Sequence, residues 1–459
     1  MFKIILYISI LITGVAYMYV ENNPDDIKVT YLYLILYVIN SFSYIYYYRK
    51  HDIVCFETLF LTINFLIAFF DILVINVVPG YDASGLNLVS NKSMLKVHIL
   101  QMVAFFAFLY GSSNSSKSVN LEKYREIRIQ YDFSIPSKIM TYLCLADIVL
   151  LAANGTILSW FQYISGKGFV NESLNYLTIF ILVASCLEIS RVASLGVRTI
   201  CGFFVAVNKI YLFEVFALTA ILMVSGNRNE ALMICLPPLF MFSVLVKHIS
   251  NIQYLAIVGA GIVLMIGIGL TRATGVSLGA MNEASSEMSW AEASRDYVSA
   301  YINSHLLVEY TDDYGIRAFT DVILVFVSAV PYLGTLIMGM FDIGGTSTGT
   351  IANNLIYGID DSLDSGVGTS LLGDVYYTGS IIGLLLFYYL LGRLISHIYN
   401  ILRYKKIYNI WYLVIYSQLF SFVVYYPRAE WSKPIRPIAF ACIIIFLLIR
   451  FFKSKRYEY

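Results

Sequence analysis

Charge is scarce in this sequence. Only 13% of its 459 residues are charged and 59% are apolar, where a soluble domain carries about 25% charged and about 45–50% apolar residues. A chain this poor in charge cannot cover a globular surface with it. That excludes a cytosolic enzyme and a disordered protein and leaves a polytopic membrane protein. Neither sign is in excess: the net charge is +1, so nothing electrostatic calls for a nucleic-acid partner. Cysteine is sparse too. The six, at 55, 144, 186, 201, 235 and 442, form no CxxC pair and lie in or at the edge of apolar segments. They read as small buried hydrophobes, and nothing supports disulfides or thiol metal sites.

What the sequence has instead is long apolar runs. Twelve segments qualify as membrane spans: 1–20, 29–48, 53–78, 94–111, 138–154, 174–190, 208–225, 230–247, 251–270, 374–396, 408–426 and 435–452. Helices are the only open-chain way to satisfy backbone groups in lipid. The stretch 196–207 is also apolar, in a position to lengthen the seventh helix. The first segment, "MFKIILYISILITGVAYMYV", has the charged start of a signal peptide but no small-x-small cleavage site, and reads as a retained helix. With the N-terminus cytoplasmic, 20 of the 31 Lys and Arg fall on the inside, so the positive-inside rule places both termini there.

Two stretches lie outside the lipid. Residues 112–137 form a polar connector of mixed charge on the cytoplasmic side. The outer loop 271–373 holds three Arg, no Lys and twelve acids, with apolar runs that mark it as folded. Within it, 318–341 is apolar enough to enter the membrane. A full span there would reverse the last three helices, so a dipping or surface-lying pair is expected. The Gly- and hydroxyl-rich section 344–373 matches no nucleotide-binding spacing. It reads either as a flexible lid or as a loop that contacts sugar.

Six of the eleven outer cations are Arg: 228, 272, 295, 317, 428 and 436. Several sit at span ends, where interfacial snorkelling explains each one singly. Together, as planar and permanently charged forks, they are suited to a diphosphate or a carboxylate. The carboxylates inside apolar segments are Asp71, Asp147, Glu188 and Glu214, and intramembrane acids are functional candidates by default. Glu188 and Glu214 lie toward the cytoplasmic ends, where snorkelling or an inter-helix hydrogen bond accounts for them. For chemistry at the outer face the candidate bases are Glu309, Asp374, Glu430 and His305. No DxD motif there points to a metal–nucleotide site.

Four patches carry a family resemblance: "SGNRNEAL" (225–232), "HLLVEYTDDYGIRAFTDVILVFVSAVPYLG" (305–334), "GVGTSLLGDVYYTGSIIGLLLFYYLLGRL" (366–394) and "RAEWSKPIRPIAF" (428–440). In content and order they resemble the Wzy type of O-antigen or oligosaccharide repeat-unit polymerase over roughly 220–452. One departure is Asp374, where the family more often has Glu. The resemblance implies an all-α polytopic protein of the bacterial inner membrane with about 12 transmembrane helices and one large folded periplasmic loop. Residues 1–270 would form nine helices, 271–373 the loop, and 374–459 three helices and a basic cytoplasmic tail. It implies metal- and cofactor-independent transfer between undecaprenyl-diphosphate-linked oligosaccharides, with a flippase and a chain-length regulator as partners in the same membrane. Glu309, Asp374 or His305 would take the acceptor proton. Arg228, Arg272, Arg428 and Arg436 would hold diphosphate, and Arg295, Arg317 and Glu430 would contact glycan. The alternatives are an O-antigen ligase acting on lipid A core and, from another class, a flippase for lipid-linked sugars. The absence of an internal repeat counts against the flippase.

Overall fold

A computed structural model describes residues 1–22, 28–50, 52–74, 91–115, 129, 132–157, 173–225, 228–257, 259–260, 290–317, 322, 325, 347–357, 368–405 and 408–452. Among these the chain is helical, with no strand. The helices are labelled in chain order. The first five are α1 (Phe2–Asn22), α2 (Lys28–Tyr44), α3 (Phe56–Ala68), α4 (Phe70–Val74) and α5 (Asn91–Ser115). Then come α6 (Ser134–Ala153), α7 (Ser173–Ser194), α8 (Ile200–Ala206), α9 (Lys209–Val224) and α10 (Arg228–Leu245). The last are α11 (Trp290–Tyr314), α12 (Thr348–Tyr357), α13 (Leu371–Asn400), α14 (Ile410–Phe422) and α15 (Ile435–Phe452).

Among the described residues, seven helices are long and apolar enough to cross a membrane: Phe2–Tyr19, Lys28–Arg49, Ser93–Ser115, Ser134–Ala153, Tyr176–Ser194, Leu371–Arg403 and Ile435–Phe452. They coincide with seven of the twelve segments read from hydropathy. The segments at 53–78, 230–247 and 408–426 contain the shorter apolar helices Phe56–Ala68, Asn229–Leu245 and Ile410–Phe422. Most of 251–270 lies outside the described residues.

The stretch 196–207 does not continue the seventh segment as one straight helix, though the two together are long and apolar enough for one broken span. It forms α8, bent 105° from α9. Local chemistry accounts for the elbow. Val207 and Asn208 are extended, with ψ of 146° and 124°. The Thr199 side chain caps α8 by accepting from Gly202 N (3.0 Å), and Asn208 caps α9 by accepting from Ile210 N (3.0 Å). Such caps satisfy amides that a helix start leaves unpaired. Glu188 of α7 then accepts from Asn208 N (2.7 Å), from Arg191 and from Ser137 of α6. Its place is explained by inter-helix hydrogen bonding, one of the two readings its sequence position allowed.

The described chain divides into two compact units interleaved along the sequence. Unit 1 is Met1–Asn120, Ser289–Asn400 and Val423–Arg436; unit 2 is Leu121–Met288, Ile401–Phe422 and Pro437–Tyr459. The axis of unit 1 is the pair α5 and α13, which touch backbone to backbone. A Cβ at Gly111 would sit 2.1 Å from the Tyr389 carbonyl oxygen, and one at Gly392 would sit 2.3 Å from that of Phe108. Beyond this crossing Asn400 donates to the Ser115 carbonyl. Nearby, Arg49 and Glu57 form an ion pair with both side chains at 0% exposure. The Ser396 hydroxyl donates to Glu57 (2.6 Å) and the Tyr399 ring lies against the guanidinium.

α13 is broken toward its other end. Gly379 and Ser380 leave the helical region, and Ser380 has φ +54° with ψ −150°. A non-glycine residue there stores about 1–3 kcal/mol of strain. The break separates a half-helix, Leu371–Thr378, from the long segment that packs on α5.

The crossing gives the first prediction. Gly111→Ala and Gly392→Ala each force two backbones apart, at a cost of about 1–3 kcal/mol typical of overpacking. Gly14→Ala meets nothing within 4 Å. Thermal unfolding of the detergent-solubilised chain should fall for the first two and stay unchanged for the third.

Candidate functional site

The half-helix Leu371–Thr378 organises one end of unit 1. Its Asp374 is 5% exposed. One carboxylate oxygen accepts from the Thr348 hydroxyl at the start of α12 (2.9 Å), and the other accepts from Trp431 N (2.7 Å). Thr348 also shares a hydrogen bond with Thr369 (2.8 Å). Asp374 therefore ties α12 and the turn 423–436 to α13. The Trp431 ring packs on Phe387, past the break, and its carbonyl accepts from Tyr426 (2.8 Å). The turn thus touches both halves of the broken helix.

α11 lies along the same end. Ser304 and Ser370 share a hydrogen bond (2.6 Å), and a Cβ at Gly373 would lie 2.6 Å from Leu307 Cβ. His305 is 1% exposed, with Nδ1 3.4 Å from Ser93 Oγ of α5 and its ring against Tyr301 and His98. One turn further Glu309 is half-buried. A further turn on, Asp312 pairs with Lys96 of α5 and accepts from the Tyr376 hydroxyl (3.1 Å). His305, Glu309 and Asp312 share one helix face by their spacing.

The end of α11 carries an aromatic cluster. Tyr310 and Tyr314 lie 4.6 Å apart, Tyr310 and Tyr377 5.7 Å. The Arg317 guanidinium sits 4.8 Å from the Tyr377 ring centre, and its amide donates to the Tyr377 carbonyl (2.9 Å). Burial pushes the Tyr310 phenol up, with Tyr377 adding to the shift and Arg317 opposing it. Arg428 is half-buried beside the Tyr425 ring at 5.9 Å.

Of the residues singled out by sequence, unit 1 brings together His305, Glu309, Arg317, Asp374, Arg428 and Glu430. Glu430 is half-buried, with its carbonyl accepting from Lys433 N. Arg436 belongs to the same unit and is exposed. Arg295 lies on α11 and Arg228 begins α10 in unit 2, but neither side chain is among the described ones, nor is that of Asp71. Arg272 and the section 318–341, apart from 322 and 325, lie outside the described residues, so the dipping helix pair expected there does too.

Sequence reasoning missed Thr348, Ser304, Trp431, Lys96, Asp312 and Tyr376. Lys96 was the findable one, as a cation inside the first turns of a span. Of the described hydroxyls of the 344–373 section, Thr348, Thr369 and Ser370 bond inward to Asp374, to each other and to Ser304, while Ser347 and Thr350 are exposed and bond to each other. Among the described residues no group of three His, Cys, Asp or Glu is placed to hold a metal ion. No family model, curated protein or solved structure matches this chain.

Removing the Asp374 carboxylate strands the Trp431 amide, about 1–3 kcal/mol if it stays buried, and leaves the Thr348 hydroxyl with Thr369 alone. Asp374→Ala should open the 423–436 turn, read as faster proteolysis there, and Asp374→Asn should recover part of the protection.

Proposed function

We propose that this protein polymerises oligosaccharide repeat units carried on undecaprenyl diphosphate, at the periplasmic face of a bacterial inner membrane. The observation that carries the reading is one half-helix that bears Asp374, holds the Arg317 amide at Tyr377 and is tied through Trp431 to the turn carrying Arg428, with Glu309 on the helix packed beside it. Such a place suits a substrate whose lipid stays in the bilayer while its diphosphate and sugars lie at the surface.

In this reading the acceptor hydroxyl attacks the anomeric carbon of the donor, its proton passes to a carboxylate, and undecaprenyl diphosphate departs. Arg428, with Arg436 further along the turn, stabilises the charge that builds on the leaving diphosphate. Glu309 is the base: it is half-buried, whereas His305 is enclosed and both oxygens of Asp374 are engaged by the fold. Asp374 is then a positioning residue that sets Arg428 through Trp431. Arg317 and the tyrosines around it offer flat apolar faces and a cation to the glycan.

Deleting the gene and resolving the surface polysaccharide on a gel tests the activity. A polymerase deletion leaves lipid A core capped by a single repeat unit. Uncapped core with polymer left on the carrier would mean a ligase, and loss of both would mean a flippase; either result overturns the reading. For the site, loss of one charge-stabilising group costs about 10²–10³ in rate. Glu309→Gln and Arg428→Ala should each abolish the ladder at unchanged membrane abundance, and a normal ladder in both removes the assigned roles.

A further inference from the structure

Unit 2 contains a polar seam that the proposed chemistry does not use. α6, α7 and α9 pack on one another there, and Glu188 sets their register by bonding both Ser137 of α6 and Asn208 at the start of α9. Six residues on from Asn208, Glu214 comes level with Cys144 of α6, with Thr141 one turn before it and Asp147 one turn after. Both carboxylates lie within electrostatic reach of the Cys144 thiol. Glu214 is 1% exposed and Thr141 0%. Among the described residues, neither oxygen of Glu214, nor the Thr141 hydroxyl, nor Asp147 Oδ2 has a hydrogen-bond partner.

An ionised carboxylate without a partner is expensive in such surroundings. Other charged or titratable groups on the flanking helices do not relieve this. Cys186 lies on α7, Glu230 and Cys235 lie on α10, and Glu188 and Arg191 are paired with each other. We infer that Glu214 is an intramembrane proton-binding site, holding a proton at neutral pH and exchanging it with solvent. A hard metal cation would need about six oxygens. The seam offers fewer, because the helix carbonyls are already used.

Infrared spectroscopy of the full chain in nanodiscs tests this, since a protonated carboxylic acid has a carbonyl stretch that a carboxylate lacks. The native protein should show that band at neutral pH, and Glu214→Gln should lose it. The band should fade reversibly as the buffer is made alkaline, the acid fraction dropping about tenfold per pH unit beyond its midpoint. Carbon-13 glutamate labelling shifts a genuine Glu band without any substitution, which keeps the test decisive if Glu214→Gln does not fold. Absence of the band, a band indifferent to pH, or one that vanishes when sodium replaces choline at fixed pH would each overturn the proposal.

Discussion

The contact on which unit 1 depends is the backbone crossing of α5 and α13 at Gly111 and Gly392. In a bilayer, lipid tails satisfy an apolar helix surface as well as another helix does. Association therefore rests on close packing, and small residues let backbones approach. Here the approach is so tight that even a Cβ at either glycine would collide with the other helix. Once their register is set, both ends follow. Ser115 meets Asn400 at one end; at the other Lys96 lies beside Tyr376 and pairs with Asp312.

The same low dielectric governs the charges. Arg49 and Glu57 are wholly buried and survive because they pair, with Ser396 adding a hydrogen bond. Breaking such a pair would leave one charge stranded, which is why buried ions occur in complementary sets. Glu188 with Arg191, and Asp374 with its hydroxyl and amide donors, obey the rule in other ways. Glu214 does not: it is buried, and among the described residues neither of its oxygens has a hydrogen-bond partner.

The broken helix α13 is where fold and candidate site meet. Backbone irregularity at membrane depth is tolerated only where it is buried in protein or lines a cavity. Here the turn 423–436 lies across the break, held on one side through Asp374 and on the other through Phe387. The half-helix so held carries the carboxylate, and Arg317 and Arg428 are anchored within a turn or so of it.

The helices were legible in the sequence because hydropathy is a local sum: twenty apolar residues in a row need a membrane whatever they later pack against. The scarcity of charge, the spans that became α1, α2, α5, α6, α7, α13 and α15, and the outlying Arg and acids all follow from that reading. The 105° elbow between α8 and α9 was not legible, since the apolar run continues through it and only the caps at Thr199 and Asn208 betray the turn. Nor could the sequence reveal that Asp374 spends both oxygens on Thr348 and Trp431, or that Lys96 meets Asp312. A carboxylate's role depends on which donors reach it, and those donors come from segments far apart in the chain. Chain chemistry alone determined a membrane helix bundle with few, costly charges. Which of those charges are paired, which are buried and which stay open to a substrate was decided only by tertiary packing, because in low dielectric the partner sets the energy.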